Sequence, residues 1–388
     1  MTIRAGMGMV AKGAFALVIA GVIGFTAATT SSGATTALPT AYVTNSQLSS
    51  VSIYSGDLFA GMIQHVGFGP TGIAIDSSAS TAYVADYGFI DQPAHTVTPL
   101  SLSTGTADVP IKVGTGPLAI AIRPGDRFAL VTLQGTAAHP GHWVREINLV
   151  TRAVSPAVNV GLNPESLAIT PDGTTAYVAA FGSAMVTPVD LTSWPPRALT
   201  PIPLPGTSPR AIAISPNGQT AYVLDASNAT VIPISLPSGT VGKPVNLICH
   251  MEGDPGCTPS AIVISHDGRT AYISAAGSGD VIILNLPSLT LAGVVEVGGY
   301  PDALGLSGRW LYVADGASDT MSIFSGLESP WTVGGVTYPF GIAVVPAPGS
   351  DTSDIEPVTG PLSAKSAGGN PDPAIRTRPA PFYGVPPA

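Results

Sequence analysis

Residues 164–191 read PESLAITPDGTTAYVAAFGSAMVTPVDL. From Pro164 the side chains alternate between small and large: Ser166, Leu167, Ala168, Ile169. A period of two belongs to a β-strand, whose successive side chains point to opposite faces of a sheet, and a helix would need apolar residues three and four apart. Pro171-Asp172-Gly173 supplies the backbone angles of a tight hairpin, and a second strand starts with Ala176-Tyr177-Val178. A third strand follows between Met185 and Leu191.

The same unit recurs every 38 to 50 residues, the period range of propeller blades. Seven copies begin at Pro70, Pro117, Pro164, Pro209, Pro259, Pro301 and Pro339. Six have a glycine three residues earlier (Gly67, Gly114, Gly161, Gly206, Gly256 and Gly298), and in the seventh Gly335 lies one residue further back. The third and fifth residues after each Pro are Ile, Leu or Val, whereas the second and fourth are Gly, Ala or Ser with the one exception of Val263. Wedge-shaped blades crowd together near a propeller axis, so an innermost strand needs one bulky and one nearly bare face. Second strands recur at Tyr42, Tyr83, Tyr177, Tyr222, Tyr272 and Tyr312, and in degraded form as FALV around Leu130. The Tyr42 strand has no Pro-led strand before it, and the Pro339 strand has no second strand after it. Each supplies what the other lacks. The expected fold is an all-β, seven-bladed β-propeller with four-stranded blades, its ring closed by the C-terminal strand pairing with N-terminal strands so that no sheet edge stays open.

Tyr42-Val43-Thr44-Asn45, together with the pattern PxxIAIxPDGxxAYV, resembles the YVTN family of β-propeller repeat proteins over about residues 38 to 347. The resemblance implies a propeller that is exported or exposed at the cell surface. It implies no particular reaction.

Composition agrees with many short strands and tight turns. Charged residues make up 10% of the 388, against roughly a quarter in ordinary globular proteins, while Gly (45) and Pro (38) are abundant. The net charge of −9 repels phosphate backbones and anionic lipid, which argues against nucleic acid or a membrane surface as partner. Arg4 and Lys12 precede an uncharged stretch from Gly13 to Ala28, short for a membrane span of about 20 residues and suited to a cleavable export signal. A retained N-terminal anchor is the alternative. The expected organisation is therefore 1–34 signal and linker, 35–347 propeller, and 348–388 a disordered tail rich in Pro and Gly, in a secreted or cell-envelope protein that works as a monomer. Cys249 and Cys257 are the only cysteines, and their short spacing in an exported chain favours a disulfide over free thiols or a metal site.

Binding residues are expected at positions that vary between otherwise equal repeats. The residue after each Pro varies most: Thr71, Leu118, Glu165, Arg210, Ser260, Asp302 and Phe340. In a propeller these ring one mouth of the central channel, and the ends of the second strands, Asn45, Asp86, Asp225 and Asp315, return to the same face. The longest insertions, between Asp86 and His95, between Gln134 and His142 and between Asn246 and Pro259, open there as well, and loops on a rigid scaffold are where binding residues concentrate. Glu165, Arg210, Asp302, Phe340, Asn45, Asp86, Asp225 and Asp315 are accordingly the candidate ligand or partner site. No linear catalytic, phosphate-binding or haem-attachment motif is present, and the paired His139 and His142 are a weak metal signal, so no catalytic residue, metal or cofactor is assigned. The expectation is a binding or scaffold protein that engages an extracellular protein, glycan or small molecule. The alternative is a propeller hydrolase or lyase of lactonase type, assembling its site from single residues on different blades.

Overall fold

The computed structural model describes residues 39–89, 92–249 and 257–347. The signal and tail assigned from sequence lie outside these residues, as does the whole loop between the cysteines, residues 250–256. Within them the chain forms seven antiparallel sheets, each built outward from one Pro-led strand. These innermost strands are Pro70–Ile75, Pro117–Ile122, Pro164–Ile169, Pro209–Ile214, Pro259–Ile264, Pro301–Ser307 and Pro339–Val345. Each packs against the innermost strands of the two neighbouring blades, closing a ring. Every sheet has at least four strands, and the outer position is split into two short pieces in the blades of Pro70, Pro164 and Pro209.

Ring closure follows the expected permutation. Pro339–Val345 pairs with Thr40–Asn45, which pairs with Ser50–Ser55 and then with Leu58–Ile63. Hydrogen bonds fasten this composite blade to the preceding one: the Tyr54 hydroxyl donates to the Gly334 carbonyl at 2.7 Å and the Ser52 hydroxyl to that of Gly335 at 2.8 Å.

The small-large alternation has a direct steric cause. A Cβ placed on Gly341 would lie 2.1 Å from the Thr71 carbonyl oxygen of the next blade, so the backbones touch where a side chain would otherwise stand. The large residues face the other way, into seven apolar clusters, one between each pair of adjacent blades. The repeated tyrosines of the second strands belong to these clusters, and Tyr177, Tyr222 and Tyr312 are at most 3% exposed. At the far ends of the innermost strands Gly173 turns with φ +70° against the ring of Pro124, 3.3 Å from where its Cβ would be, linking the turns of neighbouring blades.

All seven innermost strands share a feature that the pattern does not display. Pro164 pairs with Ala180 and Ser166 with Ala179, leaving Glu165 as an extra residue. Arg210, Ser260 and Asp302 are left over in the same way, and one extra residue also follows Pro70, Pro117 and Pro339. A β-bulge bends its strand and re-aims the bulged side chain, so the variable residue after each Pro is released from the ladder at the channel mouth.

Cys249 and Cys257 stand at disulfide distance with Cα atoms 5.8 Å apart, and pack against the apolar cluster between the Pro209 and Pro259 blades. No helix among the described residues is long and apolar enough to cross a membrane.

Gly341→Val is expected to lower stability by about 1–3 kcal/mol, since overpacking must push one backbone away from another. Gly334→Ala, with nothing within 4 Å of the new Cβ, should stay within about 0.5 kcal/mol of the parent in the same chemical denaturation series. Replacing both cysteines by serine should cost about 2–3 kcal/mol, the loop-closure entropy of so short a ring, and full labelling of both thiols in the oxidised native protein would show that no bond forms.

Candidate functional site

The bulges bring three of the candidate residues together. Arg210 Nε lies 3.7 Å from Glu165 Oε2, and the two side chains are only 10% and 7% exposed. Asp302, from a blade two further round the ring, lies within the field of the same guanidinium. Burial pushes the Glu165 carboxyl up to about 7, against the downward pull of Arg210. Burial likewise pushes Asp302 up to about 7; Arg210 opposes this and the charge of Asp315 adds to it. Asp302 Oδ2 is buried and has no hydrogen-bond partner among the described residues.

Three further side chains complete the mouth, none of them singled out from sequence. Gln134 donates through Nε2 to Glu165 Oε1 at 3.4 Å. The Tyr300 phenol, pushed up by burial, is hydrogen-bonded to Arg210 and feels both carboxylates. Tyr87, raised by burial and by the Glu165 charge, comes from the first insertion. Tyr87 and Gln134 arrive on hairpins whose strands run long, Thr81–Phe89 with Gln92–Ser101 and Phe128–Gly135 with Pro140–Asn148. Tyr300 has φ +59° immediately before a proline, and Asn163 and Tyr338 hold the same strained conformation at the equivalent position. Residues before proline favour extended backbone, so each costs about 1–3 kcal/mol, and such strain gathers at functional sites.

The other candidates do different work. Phe340 occupies the bulge position of the closing blade, half-buried. Asn45, Asp86, Asp225 and Asp315 are buried at the ends of second strands and serve their own blades. Asp86 accepts from Thr96 and Thr98, both at 2.7 Å, and Asp315 accepts from Ser322 at 2.7 Å. Asn45 donates to Ser50 and Ser52 and accepts from the Thr337 amide, while Asp225 accepts from the Ser208 amide. A Cβ on Gly67 would fall 2.0 Å from the Asp86 carboxyl carbon, and one on Gly298 2.5 Å from that of Asp315. The glycine before each of these Pro-led strands is thus small because a carboxyl fills the space beside it. Burial raises Asp86 and Asp315 to about 7, and each keeps one oxygen unpaired. For Asp225 burial is outweighed by bonds from Ser208, Asn228 and Ser227, which hold it below the usual range.

His142 stacks on Trp143 with ring centroids 4.0 Å apart, and the His139 amide bonds within its own turn. Among the described residues no three His, Cys, Asp or Glu side chains gather as a metal site.

Two buried carboxyls whose charge burial discourages, both within the field of one cation, with phenol and amide donors around them, have the makings of an acid–base pair. Such a set can activate water, hold a developing oxyanion and return a proton to a leaving oxygen.

Four carboxyls, Asp86, Glu165, Asp302 and Asp315, have folded values near 7, above their ordinary range. A raised acid favours the folded state most below about pH 4, and that advantage fades as pH climbs through the folded value. The melting temperature should therefore fall from about pH 5 to about pH 8, less steeply in Asp302→Asn, and a flat or rising profile would contradict the burial argument.

The family model that matches the chain is "Lactonase, 7-bladed beta-propeller", over residues 163–328, under half of its length. No curated protein matches in sequence. Among solved structures, the periplasmic gluconolactonase of Pseudomonas aeruginosa superposes with TM-score 0.65 at 17% identity, covering 79% of this chain and 99% of that one. A putative 6-phosphogluconolactonase from Bacteroides uniformis gives TM-score 0.65 at 16% identity over 79% and 99%. Hydrazine synthase of Kuenenia stuttgartiensis gives 0.65 at 19% over 74% and 92%. The expectation of a binding or scaffold protein is corrected by the lactonase match, which favours the hydrolase alternative. Its physical reason is that the chemical groups come from single bulged residues on separate blades, where no linear motif can reveal them. The YVTN resemblance rests on the repeat's own residues, and what the comparisons establish for this chain is the seven-bladed propeller fold.

Proposed function

We propose that the chain is a lactonase-like propeller hydrolase acting at the channel mouth. The observation that carries this reading is the gathering of two buried carboxyls, Glu165 and Asp302, within the field of one guanidinium, Arg210. Burial raises both carboxyls to about 7 with Arg210 opposing the rise in each; in the proposed step Glu165, 3.7 Å from the guanidinium, acts as the carboxylate and Asp302 as the acid. Glu165 takes a proton from water as the water oxygen bonds to the lactone carbonyl carbon. The carbonyl oxygen becomes an oxyanion facing Arg210. The ring C–O bond then breaks, its oxygen takes the proton of Asp302, and the product is the open hydroxy acid. Tyr300 and Gln134 fix the orientation of Arg210 and Glu165.

The disulfide-distance cysteine pair supports a working place outside the cytoplasm, since such bonds persist in oxidising compartments. A small-molecule substrate, no nucleic-acid partner and a monomeric ring complete the proposal, in line with the net charge of −9.

Purified protein should open simple lactones faster than solvent, measured by acid release. Glu165→Gln should lower kcat by about 10²- to 10⁴-fold, as removal of a general base does. Arg210→Met should lower it by about 10²- to 10³-fold. Unchanged turnover in both variants, with the native circular dichroism retained, would remove the assignment.

A further inference from the structure

We infer that this mouth selects uncharged, hydroxyl-bearing lactones and excludes phosphorylated ones, an inference that rests on the lactone-hydrolase reading of the same site. The seven bulge residues facing the mouth include two acids, Glu165 and Asp302, and a single base, Arg210. That base is already engaged, 3.7 Å from Glu165 and bonded to Tyr300. A phosphate monoester carries a charge of about −1.5 to −2 near neutrality and is normally received by several Arg or Lys donors, often in bidentate fashion. Here it would have to draw Arg210 away from Glu165 and then lie beside two carboxyls, and like charges so placed work against binding.

The hydrogen-bonding inventory points the same way. Asp302 Oδ2 is buried beside Gly316 with no hydrogen-bond partner among the described residues. The polar groups left at the mouth are matched by the O–H donors of a sugar-like ring, whereas an ionised phosphate offers almost none. The Gln134 amide and the Tyr87 and Tyr300 phenols suit neutral polar groups. Two of the folds this chain resembles belong to proteins described as acting on gluconolactone in one case and, putatively, on 6-phosphogluconolactone in the other. Those two substrates differ by the group that this ring of charge should discriminate.

The test compares kcat/KM of the full purified chain on gluconolactone and on 6-phosphogluconolactone. The expected result is a preference of at least about 100-fold for the uncharged compound, the size of effect that like-charge exclusion produces. Equal or better use of the phosphorylated lactone overturns the inference and leaves the hydrolase reading standing. If neither lactone is opened, the hydrolase reading has failed and the inference falls with it. Inorganic phosphate provides a readout that needs no turnover. No saturable rise in melting temperature up to about 10 mM phosphate, against sodium chloride of equal ionic strength, supports exclusion. A saturable rise that Arg210→Met abolishes shows a phosphate site at the mouth and overturns it.

Discussion

Around the axis of this ring, main chain rests on main chain. The carbonyl of Thr71 occupies the space a side chain on Gly341 would need, and the Leu118 carbonyl does the same beneath Gly72. That contact dictates the bare face of every innermost strand, and the opposite face must then carry all the bulk. The seven apolar clusters between blades are its direct counterpart, because residues denied to the axis are packed into the seams. With the inner edge so crowded, a strand can present a large polar side chain to the channel only where it leaves the regular ladder. The bulge after each proline provides that place, so the geometry that builds the scaffold also decides where chemistry can sit.

The fold was legible for the same reason. A steric rule imposed seven times leaves seven copies of one pattern, and even the exchange of strands at closure is visible in the unmatched Tyr42 and Pro339 segments. The site was legible only in part. Glu165, Arg210 and Asp302 stand out as variable residues in a repeated frame, but nothing in the pattern tells a residue turned into the channel from one turned into its own blade. Asn45, Asp86, Asp225 and Asp315 end their strands on the same face, yet hydroxyls and amides of their own blades claim them. Gln134, Tyr87 and Tyr300 lie just outside the repeat, at the rims of insertions or before a proline. Their roles depend on which distant blade they meet, and a linear reading holds no such distances.

Electrostatics divides the molecule into two kinds of acid. Asp172, exposed in its turn, and Asp190, partly buried at the end of its strand, accept several hydrogen bonds from neighbouring residues that hold them below the usual carboxylate range. Acids near the mouth lie under a low-dielectric cover with few donors, and burial raises Glu165 to about 7 against the pull of Arg210. A sparsely charged chain thus concentrates its reactive potential by withholding partners from a few carboxyls. The binding-or-scaffold expectation fails because it rests on the absence of a linear catalytic motif, whereas the charged groups here come from single residues on separate blades.

The closing register sets Thr40 opposite Val345, at the end of the blade farthest from the prolines. The polypeptide therefore joins and leaves the ring at neighbouring points on the side away from the mouth. Any tag, linker or support attached through either point would hold the ring from the side away from the bulges. An attachment made at Thr40 or Val345 would therefore meet the ring on the face opposite the Pro-led bulges.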